Sequence, residues 1–143
     1  MTSINREDPA YHILLVEDDA VDVKTVQRAF KENNISNPLA VATNGEEALE
    51  MLQNGSVNPS RLLVLLDINM PRMNGIEFLR HIRADENLRH LSVVVLTTSN
   101  DDRDRIEAYR LNVAGYILKP VTFNRFVKAM AALNKYWTLV ELP

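Results

Sequence analysis

Not one cysteine occurs among the 143 residues. That excludes a disulfide framework, thiolate zinc sites, a cysteine nucleophile and a thiol redox switch. Glycine is scarce, with four in all, and neither a Gly-x-Gly-x-x-Gly nor a Gly-x-x-x-x-Gly-Lys-Ser/Thr run is present. A nucleotide-binding module therefore lacks its usual phosphate cradle. Positive charge is not in excess either: sixteen basic against nineteen acidic side chains leave a net charge of -3. A broad nucleic-acid footprint normally needs the opposite balance. The longest apolar stretch, Leu62 to Leu66, falls far short of the roughly 18 residues of a membrane span. The first residues, MTSINREDPAYH, have no basic segment followed by an apolar one, so no export signal is read and the cytoplasm is the expected location. Without export, Asn34-Ile-Ser36 and Asn54-Gly-Ser56 are chance sequons, and Asn54-Gly55 reads better as a helix end.

What remains is ordinary globular material, 46% hydrophobic and 24% charged. A chain of this length buries about 70% of its unfolded surface and needs no staple. Five short apolar runs alternate with five amphipathic segments: His12 to Val16, Leu39 to Thr43, Leu62 to Leu66, Val93 to Thr97 and Gly115 to Leu118. Three of them are continuously apolar, as parallel strands covered on both faces are. Asp19 suits the N-cap of a first helix carrying Val23, Val26 and Phe30. The second helix runs from about Gly45 to Leu52, and the third carries Ile76, Leu79 and Ile82. The fourth starts in Asn100-Asp-Asp102 and carries Ile106, Tyr109 and Leu111. The fifth starts at Thr122 and carries Phe123, Phe126, Val127, Met130 and Leu133, where the two phenylalanines read first as core. Five βα units imply an α/β doubly wound parallel sheet with right-handed crossovers. The division expected is an N-terminal extension over 1–11, one domain over 12–135 and an apolar tail over 136–143.

In such a sheet the ligand site lies beyond the carboxyl ends of the strands. The residues there are Glu17, Asp18 and Asp19; Asn44; Asp67, Ile68 and Asn69; Thr97 and Thr98; Lys119 and Pro120. Glu17, Asp18 and Asp67 come from two strand ends that should converge, and carboxylates so close repel unless a cation sits among them. Mg²⁺ takes one or two carboxylates and fills its shell with water and phosphate oxygen. Lys119 adds a point charge for a phosphate, and Thr97 a hydroxyl. Together these are the parts of phosphoryl transfer to an aspartate. Singly each has a plainer reading: Asp19 as a cap, Lys119 as surface, Thr97-Thr98 as strand formers. His12, His81 and His90 read as structural or exposed, and Asp101 to Arg105 as a solvated first helical turn.

With those residues in view, the chain resembles the receiver domains of two-component response regulators. The motifs are Ile13-Leu-Leu-Val-Glu-Asp-Asp19, Leu65-Leu-Asp-Ile-Asn-Met-Pro71 with Asn74-Gly75, Val95-Leu-Thr-Thr98 and Gly115-Tyr-Ile-Leu-Lys-Pro120. The resemblance implies a CheY-like (flavodoxin-like) fold with strand order 2-1-3-4-5. It implies Asp67 as phosphoacceptor, with Mg²⁺ held by Asp18 and Asp67 directly, by Glu17 through water and by the Asn69 backbone carbonyl. Thr97 would be the switch hydroxyl, Lys119 the partner of a phosphoryl oxygen, Tyr116 the aromatic switch, and Lys119-Pro120 a cis peptide. Such a protein is no enzyme beyond its own phosphorylation and dephosphorylation. Its partner would be a sensor histidine kinase. Two departures from the family stand out: Thr98 where a smaller residue is usual, and the non-acidic Asn69 and Ser99 beside the path of the attacking water. Residues 53–61 form a loop longer than in the shortest receivers, with no role assigned.

No effector domain is read after the fifth helix, so the expected output is protein contact. Tyr136, Trp137, Leu139, Val140 and Leu142 make an apolar ending. It either folds back on its own domain or forms a self-association surface. The ending is similar to that of single-domain regulators paired with bacterial phytochromes. That implies a homodimer through the fourth helix, fifth strand, fifth helix and tail, and a light-regulated kinase as partner; neither nucleic acid nor membrane is an expected partner. A Mg²⁺ hydrolase of the haloacid-dehalogenase type is the rival, but it wants an acid two residues after the nucleophile, where Asn69 stands, and a cap domain. A receiver that no longer takes phosphate is the third reading, disfavoured by the full set Asp18, Asp67, Thr97 and Lys119.

Overall fold

The computed structural model describes residues 11–119, 122, 124–125, 127–129, 131–132 and 135. Five strands form one parallel sheet: β1 (His12–Val16), β2 (Leu39–Ala42), β3 (Leu62–Leu66), β4 (Ser92–Thr97) and β5 (Gly115–Leu118). Their spatial order is β2-β1-β3-β4-β5. The helices between them are α1 (Ala20–Glu32), α2 (Gly45–Gln53), α3 (Gly75–Ala84) and α4 (Asp102–Arg110). After β5 the described residues 124–125, 127–129, 131–132 and 135 are helical, and Arg125 N–H is received by Thr122 Oγ1 at 3.2 Å.

Alternation along the strands sorts the core into two layers. Leu14, Val16, Val64, Leu66, Val93 and Val95 point one way, against Ala48 and Leu52 of α2, Phe78, Leu79 and Ile82 of α3 and Ala108 of α4. Ile13, Leu15, Leu63, Leu65, Val94 and Leu96 point the other way, against Val26, Ala29 and Phe30 of α1 and against Val127 and Ala129. All five residues of β3 are buried, because β3 is central and covered on both faces. Each helix starts on a side chain that satisfies its free amides. Asp19 receives Val21 N–H, Asn44 receives Glu47 N–H, and Asn74 with Glu77 forms a reciprocal capping box.

Several boundaries differ from the sequence reading. β2 stops at Ala42, because Thr43 turns its N–H to Glu47 Oε1 at 2.6 Å instead of continuing the ladder. β4 starts one residue early, at Ser92, which pairs with Leu63. Leu111 is the C-cap of α4 and not part of its body. Ile106 and Tyr109 do not face the core: they are 53% and 49% exposed, and Ala108 is the residue α4 buries. The run Asp101 to Arg105 is only partly solvated, since Asp104 receives the Ser99 hydroxyl at 2.5 Å and Arg105 lies over the Tyr116 ring at 5.2 Å. In the long loop, Asn54 ends α2, Gly55 takes the left-handed conformation at φ 85°, and Val57 is buried.

The sheet order places β1 between β2 and β3, so the chain leaves β1 and β3 toward opposite faces. The crevice this opens lies beyond Val16 and Leu66.

Candidate functional site: an acidic rim beyond β1 and β3

Glu17 and Asp67 follow directly on paired strand ends. Asp67 N–H is received by the Val16 carbonyl at 3.0 Å, and Glu17 N–H by the Ala42 carbonyl at 2.9 Å. Both side chains are buried, at 2% and 5% exposure, while Asp18 is exposed. Carboxylate oxygens of Glu17, Asp18 and Asp67 all lie within 4.8 Å of one another. Burial foremost, and then the neighbouring Asp67 charge, raises the Glu17 pKa to about 7, against the lowering effect of Lys119. Three convergent hard oxygen donors of this kind fit a divalent cation.

The loop after Asp67 is held tightly. Asn69 N–H is received by Asp67 Oδ1 at 3.3 Å, and Gly75 N–H by the Ile68 carbonyl at 3.0 Å. Gly75 passes so close that a Cβ there would fall on the Asp67 carbonyl oxygen and lie 2.8 Å from Ile68 Cα. Thr97 is fully buried at the end of β4, and its Oγ1 receives Ile68 N–H at 3.4 Å and Ser99 N–H at 3.2 Å. Thr98 is exposed, and its hydroxyl oxygen receives Asn69 Nδ2 at 3.3 Å, so the side chain after Thr97 turns outward. Ser99 is buried, with its hydroxyl committed to Asp104.

Lys119 closes the site from β5. Its N–H is received by the Thr97 carbonyl at 2.7 Å, which ties the ends of β4 and β5. Its ammonium donates to Glu17 Oε1 at 2.9 Å and to Asp22 Oδ2 at 2.6 Å. Burial alone depresses this ammonium, but the bonds to Asp22 and Glu17 outweigh it and leave its pKa above the usual lysine value. Tyr116, one strand residue pair back, is half-buried and donates from its hydroxyl to the Ser99 carbonyl at 3.0 Å. Its ring meets that of Tyr109 with centroids 6.5 Å apart.

The structure thus brings Glu17, Asp18, Asp67, Asn69, Thr97 and Lys119 to one rim, with Tyr116 reaching the loop that follows Thr97. Asp19 serves as the α1 cap, and His12, His81 and His90 are exposed. Pro120 and its peptide bond lie outside the described residues, as do Phe123, Phe126, Tyr136, Trp137, Leu139, Val140 and Leu142. Asp22 is the site residue that sequence reasoning missed. An acid in the first turn of a helix reads as a match for the helix dipole, and only the approach of β5 gives it a cation. A polar groove of about 490 Å³ adjoins the site at Asn69 and runs between Glu77 and Arg80 of α3 and Arg103 and Glu107 of α4. Among the described residues no helix is long and apolar enough to cross a membrane.

Comparison with known proteins identifies relatives of the whole fold. Residues 13–131 match the family model of the response regulator receiver domain. The chain is 34% identical over 143 residues to response regulator Rcp1 of Synechocystis, covering 97% of each chain. It is 35% identical over 136 residues to a probable methanogenesis regulatory protein, FilR2, of Methanothrix harundinacea, covering 94% of this chain and 87% of that one. The crystal structure of the phosphorylated cyanobacterial phytochrome response regulator RcpA superimposes with a TM-score of 0.82 at 31% identity, over 93% of this chain and 98% of that one. The Mn²⁺-bound form of Rcp1 superimposes with a TM-score of 0.80 at 35% identity, over 93% and 99%.

Proposed function

The chain belongs to the response regulator receiver family, and from that premise we propose that it is a phosphorylation-controlled binding switch with Asp67 as its phosphoacceptor. Receiver domains are regulators and not enzymes acting on a separate substrate. The observation that carries the reading is the convergence on Asp67 of two further carboxylates, a buried threonine hydroxyl and a largely covered lysine ammonium.

Each part has a chemical task. A carboxylate oxygen of Asp67 forms the new P–O bond as the P–N bond of a phosphohistidine breaks, and the imidazole nitrogen leaves with the electron pair and takes up a proton. Asp18 and Asp67, with Glu17 and the Asn69 carbonyl beside them, would hold Mg²⁺, which would supply charge neutralisation for the transferring group. Thr97 donates to a phosphoryl oxygen the hydroxyl proton that its two accepted bonds, from Ile68 N–H and Ser99 N–H, leave uncommitted. Lys119 meets a second oxygen. The added charge is read out through the β4–α4 loop, whose Ser99 carbonyl holds the Tyr116 hydroxyl.

The output face we assign to α4 and β5, continued by the fifth helix and the apolar tail. Ile106 and Tyr109 are exposed apolar side chains on an otherwise charged α4, and Tyr116 lies beside Tyr109. A second copy of the chain is the partner on this face. The kinase is a histidine kinase of the phytochrome type, a reading supported by the likeness to the phytochrome response regulator RcpA, and the cytoplasm is the site of action that goes with it. The test is intact-protein mass after incubation with Mg²⁺ and acetyl phosphate. A gain of one phosphate that requires Mg²⁺ and is absent in Asp67→Asn is the expected result. No gain, together with no binding of beryllofluoride, would leave a receiver that does not take phosphate.

A further inference from the structure

Lys119 is poised for a phosphoryl group but is already occupied. Its side chain is 11% exposed, and two of its three N–H bonds go to Glu17 and Asp22. The bond to Asp22 is the shorter, 2.6 Å against 2.9 Å. Glu17 has a second claim on its charge, since it belongs to the carboxylate cluster; Asp22 lies outside that cluster. The position of Asp22 on α1 explains why it is available. It is the third residue of the helix, a place from which an acid usually reaches back to the N-cap amide. Here the Asp19 N–H is received by Glu17 Oε2 at 3.2 Å, and the Asp22 carboxylate turns to Lys119 instead.

We propose that Asp22 is a positioning residue that holds the Lys119 ammonium on the α1 side of the rim and competes for it with a phosphoryl group on Asp67. This rests on the reading of Asp67 as phosphoacceptor. In the unphosphorylated protein the lysine is parked between Glu17 and Asp22. To bind a phosphoryl oxygen it must give up or share the Asp22 bond. The free energy of that exchange sets how strongly the phosphorylated form is favoured. Asp22 thereby raises the threshold for switching without touching the reacting atoms.

The experiment is a titration of wild type, Asp22→Asn and Asp22→Glu with beryllofluoride in saturating Mg²⁺, alongside Mg²⁺ alone. Asp22→Asn is expected to bind beryllofluoride roughly three- to tenfold more tightly, the scale of one ion pair lost from the resting state. Asp22→Glu is expected to return the affinity toward wild type, which a merely structural defect would not allow. In the metal-free protein, the ¹⁵N resonance of the Lys119 ammonium is expected to move in Asp22→Asn and not in Asp22→Glu. Unchanged or weaker beryllofluoride binding in Asp22→Asn, with a wild type that binds, overturns the role of Asp22 and leaves Asp67 as acceptor. A wild type that binds no beryllofluoride overturns the acceptor reading and this one with it.

Discussion

The hydroxyl of Tyr116 donates to the backbone carbonyl of Ser99 at 3.0 Å, a bond between β5 and the loop that leaves β4. Ser99 is in turn two residues from Thr97, whose hydroxyl oxygen receives the Ser99 N–H at 3.2 Å. A shift of Thr97 therefore moves the residue whose carbonyl holds the ring of Tyr116. Tyr116→Phe keeps the ring and removes the bond. It is expected to cost about 1 kcal/mol of stability in urea unfolding and to make the ring environment insensitive to beryllofluoride, as read by aromatic NMR.

Glu17 links the site to pH. Its folded pKa, about 7, lies above the ordinary carboxylate value, so the folded metal-free protein holds a proton that the unfolded chain releases. Stability from this group is complete below the unfolded pKa and is lost as pH rises through 7. Metal-free melting temperature should fall between pH 5 and pH 8, and Glu17→Gln should flatten that slope. Mg²⁺ should raise the melting temperature more at pH 8 than at pH 5.5, because metal and proton compete for the same carboxylate.

Asp67→Asn removes one of three mutually repelling charges. Without metal it is expected to be more stable than wild type by about 1 kcal/mol, measured by denaturant unfolding. In the same variant Mg²⁺ affinity should drop. A variant less stable than wild type in the absence of metal would show that the cluster is not repulsive.

Gly75 sets the position of Asp67. A methyl group there meets the Asp67 carbonyl and Ile68 Cα, which are backbone atoms that cannot rotate away. Gly75→Ala is expected to destabilise the fold by roughly 2–4 kcal/mol and to weaken Mg²⁺ binding, as read by calorimetry.

Tyr109 is half exposed on α4 and makes its ring contact with Tyr116. Tyr109→Asp should leave the melting temperature within about 1 kcal/mol equivalent of wild type and lower self-association in sedimentation velocity. Unaltered association would place the partner surface elsewhere.

The strands were legible in the chain because buried parallel strands are written as apolar runs, the rim residues because they follow those runs, and the strand order through the family resemblance; β1, β3 and β5 keep the ends read for them. Thr43 and Ser92 were misplaced for local reasons: a side-chain acceptor ended β2 one residue early, and a cross-strand partner began β4 one residue early. The outward face of α4 was not legible. Periodicity shows that Ile106 and Tyr109 share a side of the helix, but not whether another element covers it.

The chain by itself determined the alternation of elements, the acids after β1 and β3, and the Thr97 and Lys119 positions, since these depend on residue type and local period. Only the tertiary structure decided the partners: Asp22 for Lys119, 97 positions away, Asp104 for Ser99, and the Ser99 carbonyl for Tyr116. The physical reason is that a charge or hydroxyl accepts any complementary group within reach. Which group is within reach is set by how the strand ends converge.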